Sequence, residues 1–348
     1  MPTIITKTIG PVGRDYATFT AAEAAVSTIP TTDDMVANDE AIVFEVDAGT
    51  YNETVTFDSS SPGPGLTMDA TRNITYRPAA GSEHGGTAGA GVVISSSSIN
   101  FVRDDYLVLD GLEINGSSSQ VVNIQLVTGV TLRNCLVYAA VQGLVITTDT
   151  VGLTADNCVI SSGNYAIYPN ASSGTVSASF RNCTVLEGPP GVTAVRIAQS
   201  GTATIDVEFV NCAVLESPTG AYAESGTATI TGSGNVGGSN NPFPAALQAE
   251  SQTWTFSTDP QAASTGSQVI YDATTGALVN VPGNDAVGVG TTTGAPTTDI
   301  NGEDRIRGTF ADPGAFVAPL RTITKSIDAA GGGDYTTFVA AEAAVSTL

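Results

Sequence analysis

Arg103, Asp104 and Asp105 form the densest cluster of catalytic residue types in this 348-residue chain. Two carboxyl groups can act as acid and base in glycoside hydrolysis when both face the same sugar. Adjacent residues on an extended strand point to opposite faces, so an extended segment would keep this pair from sharing a substrate. We therefore favour a charged turn before a strand at 106–109. A carboxylate pair completed by a neighbouring subunit stays open as the alternative.

His84 is the one histidine of the chain and lies in a glycine-rich loop at 81–86. A histidine in such a loop is expected to be structural or solvated rather than catalytic. Trp254 belongs to a short apolar stretch at 253–256. We interpret it as a packing anchor rather than as a platform for a sugar ring.

The acidic segment 299–312 suggests calcium by its composition but lacks the alternating oxygen-ligand spacing of a dedicated calcium loop. An ion pair between Asp312 and either Arg305 or Arg307 is the simpler interpretation, because it would hold this segment in place. The sequence therefore predicts no catalytic, cofactor-binding or metal-binding residue, and no cofactor.

The four cysteines recur in one short phrase, each directly after an asparagine, at intervals of 23, 25 and 29 residues. They are Cys135, Cys158, Cys183 and Cys212, preceded by Asn134, Asn157, Asn182 and Asn211. The stretch 109–114 occupies the same frame one unit earlier, and 234–236 keeps an asparagine without the cysteine. A unit of 20–30 residues built from short β-branched strands indicates a solenoid of parallel strands.

In such a solenoid equivalent residues of successive turns stack in columns. The cysteine column is predicted to be buried core with free thiols, and the asparagines are predicted to occupy sharp corners that need left-handed backbone. A metal site is the alternative, but the cysteines have no histidine or Cys-x-x-Cys partner. Disulfides within a stack are disfavoured because neighbouring side chains point in parallel.

Local patterns predict further strands and one clear helix. Residues 18–27 are alanine-rich with Phe19, Ala22 and Val26 on one face, which predicts a helix that covers the open end of the coil. The predicted strands are 41–46, 54–57, 73–77 and 92–94, with a turn at 47–51. The expected organisation is a cap at 1–40, rungs at 41–244, a closing segment at 245–318 and a further unit at 319–348.

That further unit nearly repeats the cap, because residues 334–348 match 15–29 almost residue for residue. Two interpretations stay open. Either the chain begins a tandem array, which we favour, or the second copy docks on a neighbouring subunit or on the far end of its own coil. Both predict that Phe338, Ala341 and Val345 are buried, as Phe19, Ala22 and Val26 are.

The 34 acidic and 12 basic residues give a net charge of −22 and exclude nucleic acid and anionic lipid as partners. The sequence has no apolar run of membrane-spanning length, so no membrane insertion is expected. Residues 1–7 do not read as a signal peptide, and ordinary secretion is therefore not expected.

Three stretches resemble pectin-lyase-like right-handed parallel β-helix proteins, which are common among bacterial surface proteins and phage virion proteins. Residues 45–55 resemble the first rung, the Asn-Cys repeats resemble the central coil, and 299–305 with 312–316 resembles the closing segment of surface-exposed members. The resemblance covers about residues 1–318. Enzymes of the group carry an arginine base beside calcium-binding carboxylates, or Asn-Thr-Asp, Asp-Asp and Gly-His-Gly phrases. None of these signatures matches here, so the resemblance implies a non-catalytic member.

The predicted fold class is all-β, a right-handed parallel β-helix solenoid with an N-terminal capping α-helix. The predicted function is a structural virion surface protein, such as a phage spike, fibre or capsid-surface projection. Its expected partners are copies of itself, with a trimer as the candidate state, other virion proteins, or a host-surface glycan. The alternatives are a polysaccharide-degrading tail spike and a bacterial adhesin on the cell surface.

Overall fold

The structure is a computed structural model that describes residues 1–59, 65–147, 149–187, 194–215 and 222–236. It also describes 255–257, 268–270, 292, 295–301, 306–307 and 310–311. The chain divides into two compact units, Met1–Ala318 and Pro319–Leu348. The second unit contains the predicted copy of the cap and lies outside the described residues, as do Trp254, Arg305 and Asp312.

Three parallel sheets, which we name A, B and C, carry most of the described strands, and the chain visits them in that order on each turn. Sheet A consists of β1 (Thr3–Ile9), β2 (Glu40–Val46), β5 (Ile74–Pro78), β8 (Val108–Asp110), β11 (Thr131–Arg133), β14 (Thr150–Asp156), β17 (Thr175–Arg181), β20 (Thr204–Val210) and β23 (Thr229–Ser233).

Sheets B and C have seven strands each. Sheet B consists of β3 (Gly49–Tyr51), β6 (Val92–Ser96), β9 (Glu113–Gly116), β12 (Leu136–Ala139), β15 (Val159–Ser162), β18 (Thr184–Glu187) and β21 (Ala213–Leu215). Sheet C consists of β4 (Thr56–Phe57), β7 (Asn100–Val102), β10 (Gln120–Ile124), β13 (Gln142–Ile146), β16 (Tyr165–Ala171), β19 (Val195–Gln199) and β22 (Tyr222–Ser225).

Two short pairs complete the described strands: β24 (Thr255–Ser257) with β25 (Gln268–Ile270), parallel, and β26 (Ile306–Arg307) with β27 (Phe310–Ala311), antiparallel. In sheets A, B and C every strand pairs with the equivalent strand one turn away, which is the arrangement of a parallel β-helix. The predicted fold class, an all-β right-handed parallel β-helix solenoid with an N-terminal capping helix, is confirmed.

The core is a set of stacked columns inside the coil. Alternation along each strand turns every second side chain inward, and the parallel register places like residues above one another. Phe180 and Phe209 stack with ring centroids 5.2 Å apart, and Phe44 and Tyr76 stack at 4.5 Å with an interplanar angle of 8°. Close-packed columns of this kind supply the apolar burial that holds successive turns together.

The corner from sheet A to sheet B is a single left-handed residue on each turn. Asn134, Asn157, Asn182 and Asn211 have φ values of 51° to 54°, as predicted. Asparagine is among the few residues that tolerate this conformation. The earlier corner is Gly111, with φ 68°, which confirms that 109–114 shares the frame.

The final described corner corrects one predicted alignment. Gly234 has φ 70° and takes the corner position, and Ala213 bridges to Val236. Asn235 therefore aligns with Cys212 and not with the corner asparagines. It is fully buried, donates from Nδ2 to the Phe209 carbonyl at 2.8 Å, and accepts from the Cys212 N–H at 2.8 Å. The thiols make the equivalent contact, since Cys212 Sγ lies 3.4 Å from the Phe180 carbonyl oxygen.

The predicted cap helix is confirmed as α1 (Phe19–Ala25), followed by a 3₁₀ turn at Val26–Thr28. Thr18 caps it by accepting from the Ala21 N–H at 3.0 Å. Phe19, Ala22 and Val26 are buried, and the Phe19 ring packs edge-on against Tyr51 with centroids 5.2 Å apart. Burying one such phenylalanine contributes about 1.5–3 kcal/mol.

One short helix was not predicted, and one predicted turn was wrong. A second short helix, α2 (Met35–Asn38), follows the first and is capped by Asp34 Oδ1, which accepts from the Ala37 N–H at 2.9 Å. The predicted turn at 47–51 contains β3, because Gly49, Thr50 and Tyr51 pair with Val92, Val93 and Ile94. Long-range pairing overrides the turn preference of the glycine there.

Candidate functional site

A column of alternating charge runs along sheet A. From one turn to the next it reads Glu45, Arg77, Asp110, Arg133, Asp156 and Arg181. Each residue is the register partner of the next, except that Arg77 and Asp110 follow the paired residues Tyr76 and Leu109. Ion pairs join Arg77 to Glu45 at 2.8 Å, Arg133 to Asp110 at 2.7 Å, and Arg181 to Asp156 at 2.7 Å. Stacked like charges would repel, so the alternation allows charged residues in one column.

The charge column is not equally exposed along its length. Arg77 and Glu45 are 48% and 34% exposed, whereas Asp156 is 17% exposed. Burial raises the pKa of Asp156, and the Arg181 guanidinium opposes that rise. Arg181 and Asp156 are therefore the least exposed pair of the column, and the pair whose loss should change the free energy of unfolding most.

The four cysteines are free thiols in one fully buried column, as predicted. Burial raises the pKa of the Cys158 and Cys212 thiols, so these two thiols are protonated at neutral pH. Their sulfurs contact carbonyl oxygens of the previous turn, such as Leu132 for Cys158 at 3.7 Å. Protonated, inaccessible thiols are neither nucleophiles nor metal ligands. Among the described residues no group of three or more His, Cys, Asp or Glu side chains is arranged to hold a metal ion.

Asp104 and Asp105 point in different directions, as predicted. Asp104 is 3% exposed and accepts from the Ser59 N–H at 2.6 Å, while the exposed Asp105 accepts from the Thr128 N–H at 2.6 Å. The segment is a turn, and the strand after it begins at Val108 rather than at Tyr106, whose φ is 54°. One substrate cannot contact both carboxyl groups in this arrangement.

Asp104 instead belongs to a buried acidic cluster between the cap helix and the coil. Glu23 accepts from the Tyr76 hydroxyl and from the Asp58 N–H at 3.2 Å, and is 8% exposed. Burial, with a contribution from the Asp104 charge, raises the pKa of Glu23 to about 8. Burial also raises the pKa of Asp104 to about 6, and its Oδ2 atom lacks a hydrogen-bond partner. Glu23 and Asp104 are 81 positions apart, so no local pattern in the sequence predicted that they lie close together.

His84 is 4% exposed and structural. Its Nδ1 accepts from the Gly86 N–H at 2.8 Å, so the proton is assigned to Nε2, which donates to the Asn134 carbonyl at 2.8 Å. Burial lowers the pKa of the ring, which keeps it neutral. The Nε2 bond holds the 81–86 loop on the corner column and the Nδ1 bond closes the loop on itself, as the structural interpretation predicts.

The described part of the closing segment docks on the same corner. Asn157 Nδ2 donates to the Thr298 carbonyl at 2.8 Å, and Ile300 packs on Leu136 and Val159 at the outer face of sheet B. Asp299 accepts from the Asn301 N–H at 2.8 Å and is 3% exposed. The predicted ion pairs of Asp312 lie outside the described residues.

A groove of about 800 Å³ lies along sheet B, where the strands end and the chain turns toward sheet C. Eight of its thirteen described lining residues are asparagine, serine or threonine. The other five are Glu53, Gly116, Tyr138, Ala139 and Ala140. Sequence reasoning missed it. The available signal was that Ser95, Asn115, Tyr138 and Ser161 each follow a buried β-branched residue of the repeat.

Two arginines contrast with the ion-paired ones: Arg196 on strand β19 of sheet C, and Arg103 directly after strand β7. The other described basic side chains form salt bridges: Lys7, Arg14, Arg72, Arg77, Arg133 and Arg181. Arg196 instead lies 4.9 Å over the Tyr165 ring and donates to its hydroxyl. Arg103 lies 4.7 Å over Phe101, with the Gln125 amide oxygen oriented to accept from it at 2.8 Å. Cation–π contacts replace carboxylates at these positions.

The chain was compared with known families, curated proteins and solved structures. No family model matches the chain, and no curated protein matches it. A solved crystal structure of pectate lyase Pel9A is similar at 14% identity and a TM-score of 0.43, covering 91% of this chain and 98% of that one. Within the part of the chain that the structure describes, no helix is long and apolar enough to cross a membrane.

Proposed function

We propose that this chain is a structural protein of a virion surface, such as a phage spike, fibre or capsid-surface projection, and not an enzyme. The supporting observation is that the carboxyl groups with catalytic potential serve the coil itself. Asp104, Asp105 and Asp299 each accept a backbone N–H, and Asp110 and Asp156 pair with arginines of the next turn. A general acid or base needs a carboxyl group that can reach a substrate.

The stacking also suits a passive support. Each turn contacts only the turns next to it, and the same contacts repeat along the whole coil. The repetition gives an extended, stiff body, which is what a passive support requires. The thiols are reduced and inaccessible, which agrees with assembly in a reducing cytoplasm before release. Strong acidity favours solubility at the high local density of a particle surface. We propose self-association or contact with other virion proteins as the mode of attachment, with a trimer as the candidate state.

Location is tested with antibody raised against the full chain. We expect gold label on the surface of gradient-purified particles, and a trimer or particle-bound array by native mass spectrometry or cryo-electron microscopy. Label confined to the cell envelope, with a monomeric chain, would overturn the virion proposal and favour an adhesin.

Activity is tested separately on host surface polysaccharide. We expect no release of reducing or unsaturated ends by the purified full chain. Release that Asp104→Asn or Asp105→Asn abolishes, with thermal unfolding unchanged, would replace the structural role by that of a degrading tail spike.

A further inference from the structure

We propose that the groove along sheet B is a binding site for a neutral oligosaccharide. The inference rests on the proposed function in one respect, namely that the sugar is held and not cleaved. Its basis is the row formed by Ser95, Asn115, Tyr138 and Ser161, which are register partners on four consecutive strands. The residues before them, Ile94, Ile114, Val137 and Ile160, are buried in the core, so the row faces outward.

The row presents polar groups at a regular spacing. Neighbouring parallel strands lie about 4.8 Å apart, so the row offers one contact residue per turn along the groove. A linear oligosaccharide in extended conformation presents hydroxyl groups at a comparable repeat. The side-chain hydroxyls of Ser95, Ser117 and Ser161 make no hydrogen bond within the described chain, whereas Asn115 Nδ2 donates to Glu113 at 2.8 Å. The Asn115 carbonyl oxygen and the hydroxyls are thus available to a ligand.

Tyr138 provides the apolar surface of the site. Its half-buried ring packs against the cluster of Leu136, Val159 and Ile300, which fixes its position. Burial, with a smaller contribution from the Glu113 charge, raises the pKa of Tyr138 to about 12. The hydroxyl therefore stays neutral and can donate or accept. An immobilised ring with a polar tip beside hydroxyls and amides suits a sugar, which has both an apolar ring face and a polar rim.

The charges around the groove exclude ionic ligands. No basic side chain lines it among the described residues, and the chain has a net charge of −22, so an anionic ligand is repelled. The lining carboxylate is Glu53, which accepts from the Phe19 N–H, the Thr20 N–H and the Thr20 hydroxyl at 2.6–2.9 Å. These three bonds occupy acceptor positions of the carboxylate on the protein side, so fewer of its lone pairs are available to coordinate a cation. A neutral polyhydroxylated ligand remains.

Isothermal titration of the full chain tests the site. The probes are neutral tetrasaccharides of glucose, galactose and mannose in α and β linkage, with tetragalacturonate and a glucosamine tetramer as charged counterparts. We expect at least one neutral probe to bind, and its affinity to fall about tenfold or more in Tyr138→Ala and in Ala140→Trp. Ala140 is an exposed lining residue, so a tryptophan there fills the groove without disturbing the core.

Two controls separate loss of the site from loss of the fold. Tyr168→Ala removes a partly exposed tyrosine of sheet C and should leave binding unchanged, and Tyr138→Phe keeps the packing while removing only the hydroxyl. Thermal unfolding of each variant is measured alongside. Binding by none of the neutral probes, tighter binding of a charged probe, or equal loss in Tyr168→Ala would overturn the inference and leave the structural role intact. Shortening of a bound probe would overturn the structural role and leave the groove in place.

Discussion

Arg181 lies one turn beyond Asp156, and its guanidinium binds that carboxylate at two points, Nε to Oδ1 at 2.7 Å and Nη2 to Oδ2 at 2.9 Å. A two-point pair has fixed geometry and charge-assisted hydrogen bonds. Its stabilising effect depends on burial, and Asp156 is the less exposed partner.

Removing the arginine should therefore cost stability at neutral pH. We expect Arg181→Met to lower the free energy of unfolding by about 1–2 kcal/mol, because it leaves a largely buried carboxylate without its partner. Arg77→Met is the matched control in the same charge column, and its more exposed pair with Glu45 should change stability by less than about 0.5 kcal/mol. Urea denaturation at pH 7 measures both. Equal effects at the two positions would contradict the burial argument.

The corner asparagines can be tested through their backbone conformation. Asn157 has φ 54°, and its amide donates to Asn134 Oδ1 at 3.3 Å and to the Thr298 carbonyl at 2.8 Å. Asn157→Ala and Asn157→Gly lose these contacts equally, but only alanine is strained at this φ. We expect the alanine variant to be less stable than the glycine variant by about 1 kcal/mol. Thermal unfolding compares them, and an alanine variant at least as stable as the glycine variant would rule out strain at the corner.

Stability of the cap should fall as the pH rises. The folded state keeps Glu23 protonated up to about pH 8, while the unfolded carboxyl ionises near 4.5, so folding binds a proton between these values. The contribution of Glu23 to stability is therefore greatest below about 4.5 and decreases toward 8, by at most about 1.4 kcal/mol per pH unit for this proton. Asp104 adds to this slope in the lower part of the range, up to about 6.

Glu23→Gln should flatten this dependence, since the amide can still accept from Tyr76 and carries no charge. Glu83→Gln is the control, because Glu83 is exposed in the 81–86 loop. Hydrogen exchange of α1 and β2 at pH 5 and at pH 8 gives the local measurement. An unchanged pH slope in Glu23→Gln would show that this carboxyl group is not the source.

The cysteine column gives a prediction on reactivity. We expect the native chain to leave all four thiols unmodified by an aromatic disulfide reagent over hours, and the denatured chain to react at four. The reason is the complete burial of all four side chains, which keeps the reagent from the sulfurs. Treatment with a chelator should change neither number. Two reactive thiols or none after denaturation would indicate disulfides, which the parallel stacking of these side chains disfavours.

The coil, its corner and the cap helix could be predicted from the sequence alone. The Asn-Cys phrase recurs at intervals of 23, 25 and 29 residues because equivalent residues must occupy the same column on every turn, and that recurrence is visible in the sequence. The same holds for Phe19, Ala22 and Val26, whose spacing follows from the helical period alone. The divergence of Asp104 and Asp105 also follows from local backbone geometry.

The alignment of residues between turns of different length could not be predicted in this way, because it depends on strand pairing in the folded chain. Glu45 and Arg77 are separated by 32 residues but Asp110 and Arg133 by 23, so the charge column could not be aligned by counting. Asn235 matches the cysteines because Gly234 takes the corner, and a shift of one residue in register reverses which face a side chain occupies. The proximity of Glu23 to Asp104, and of Tyr138 to Asn115 and Ser161, has the same physical reason. Contacts between turns depend on strand pairing over long sequence distances, which local residue preferences do not encode.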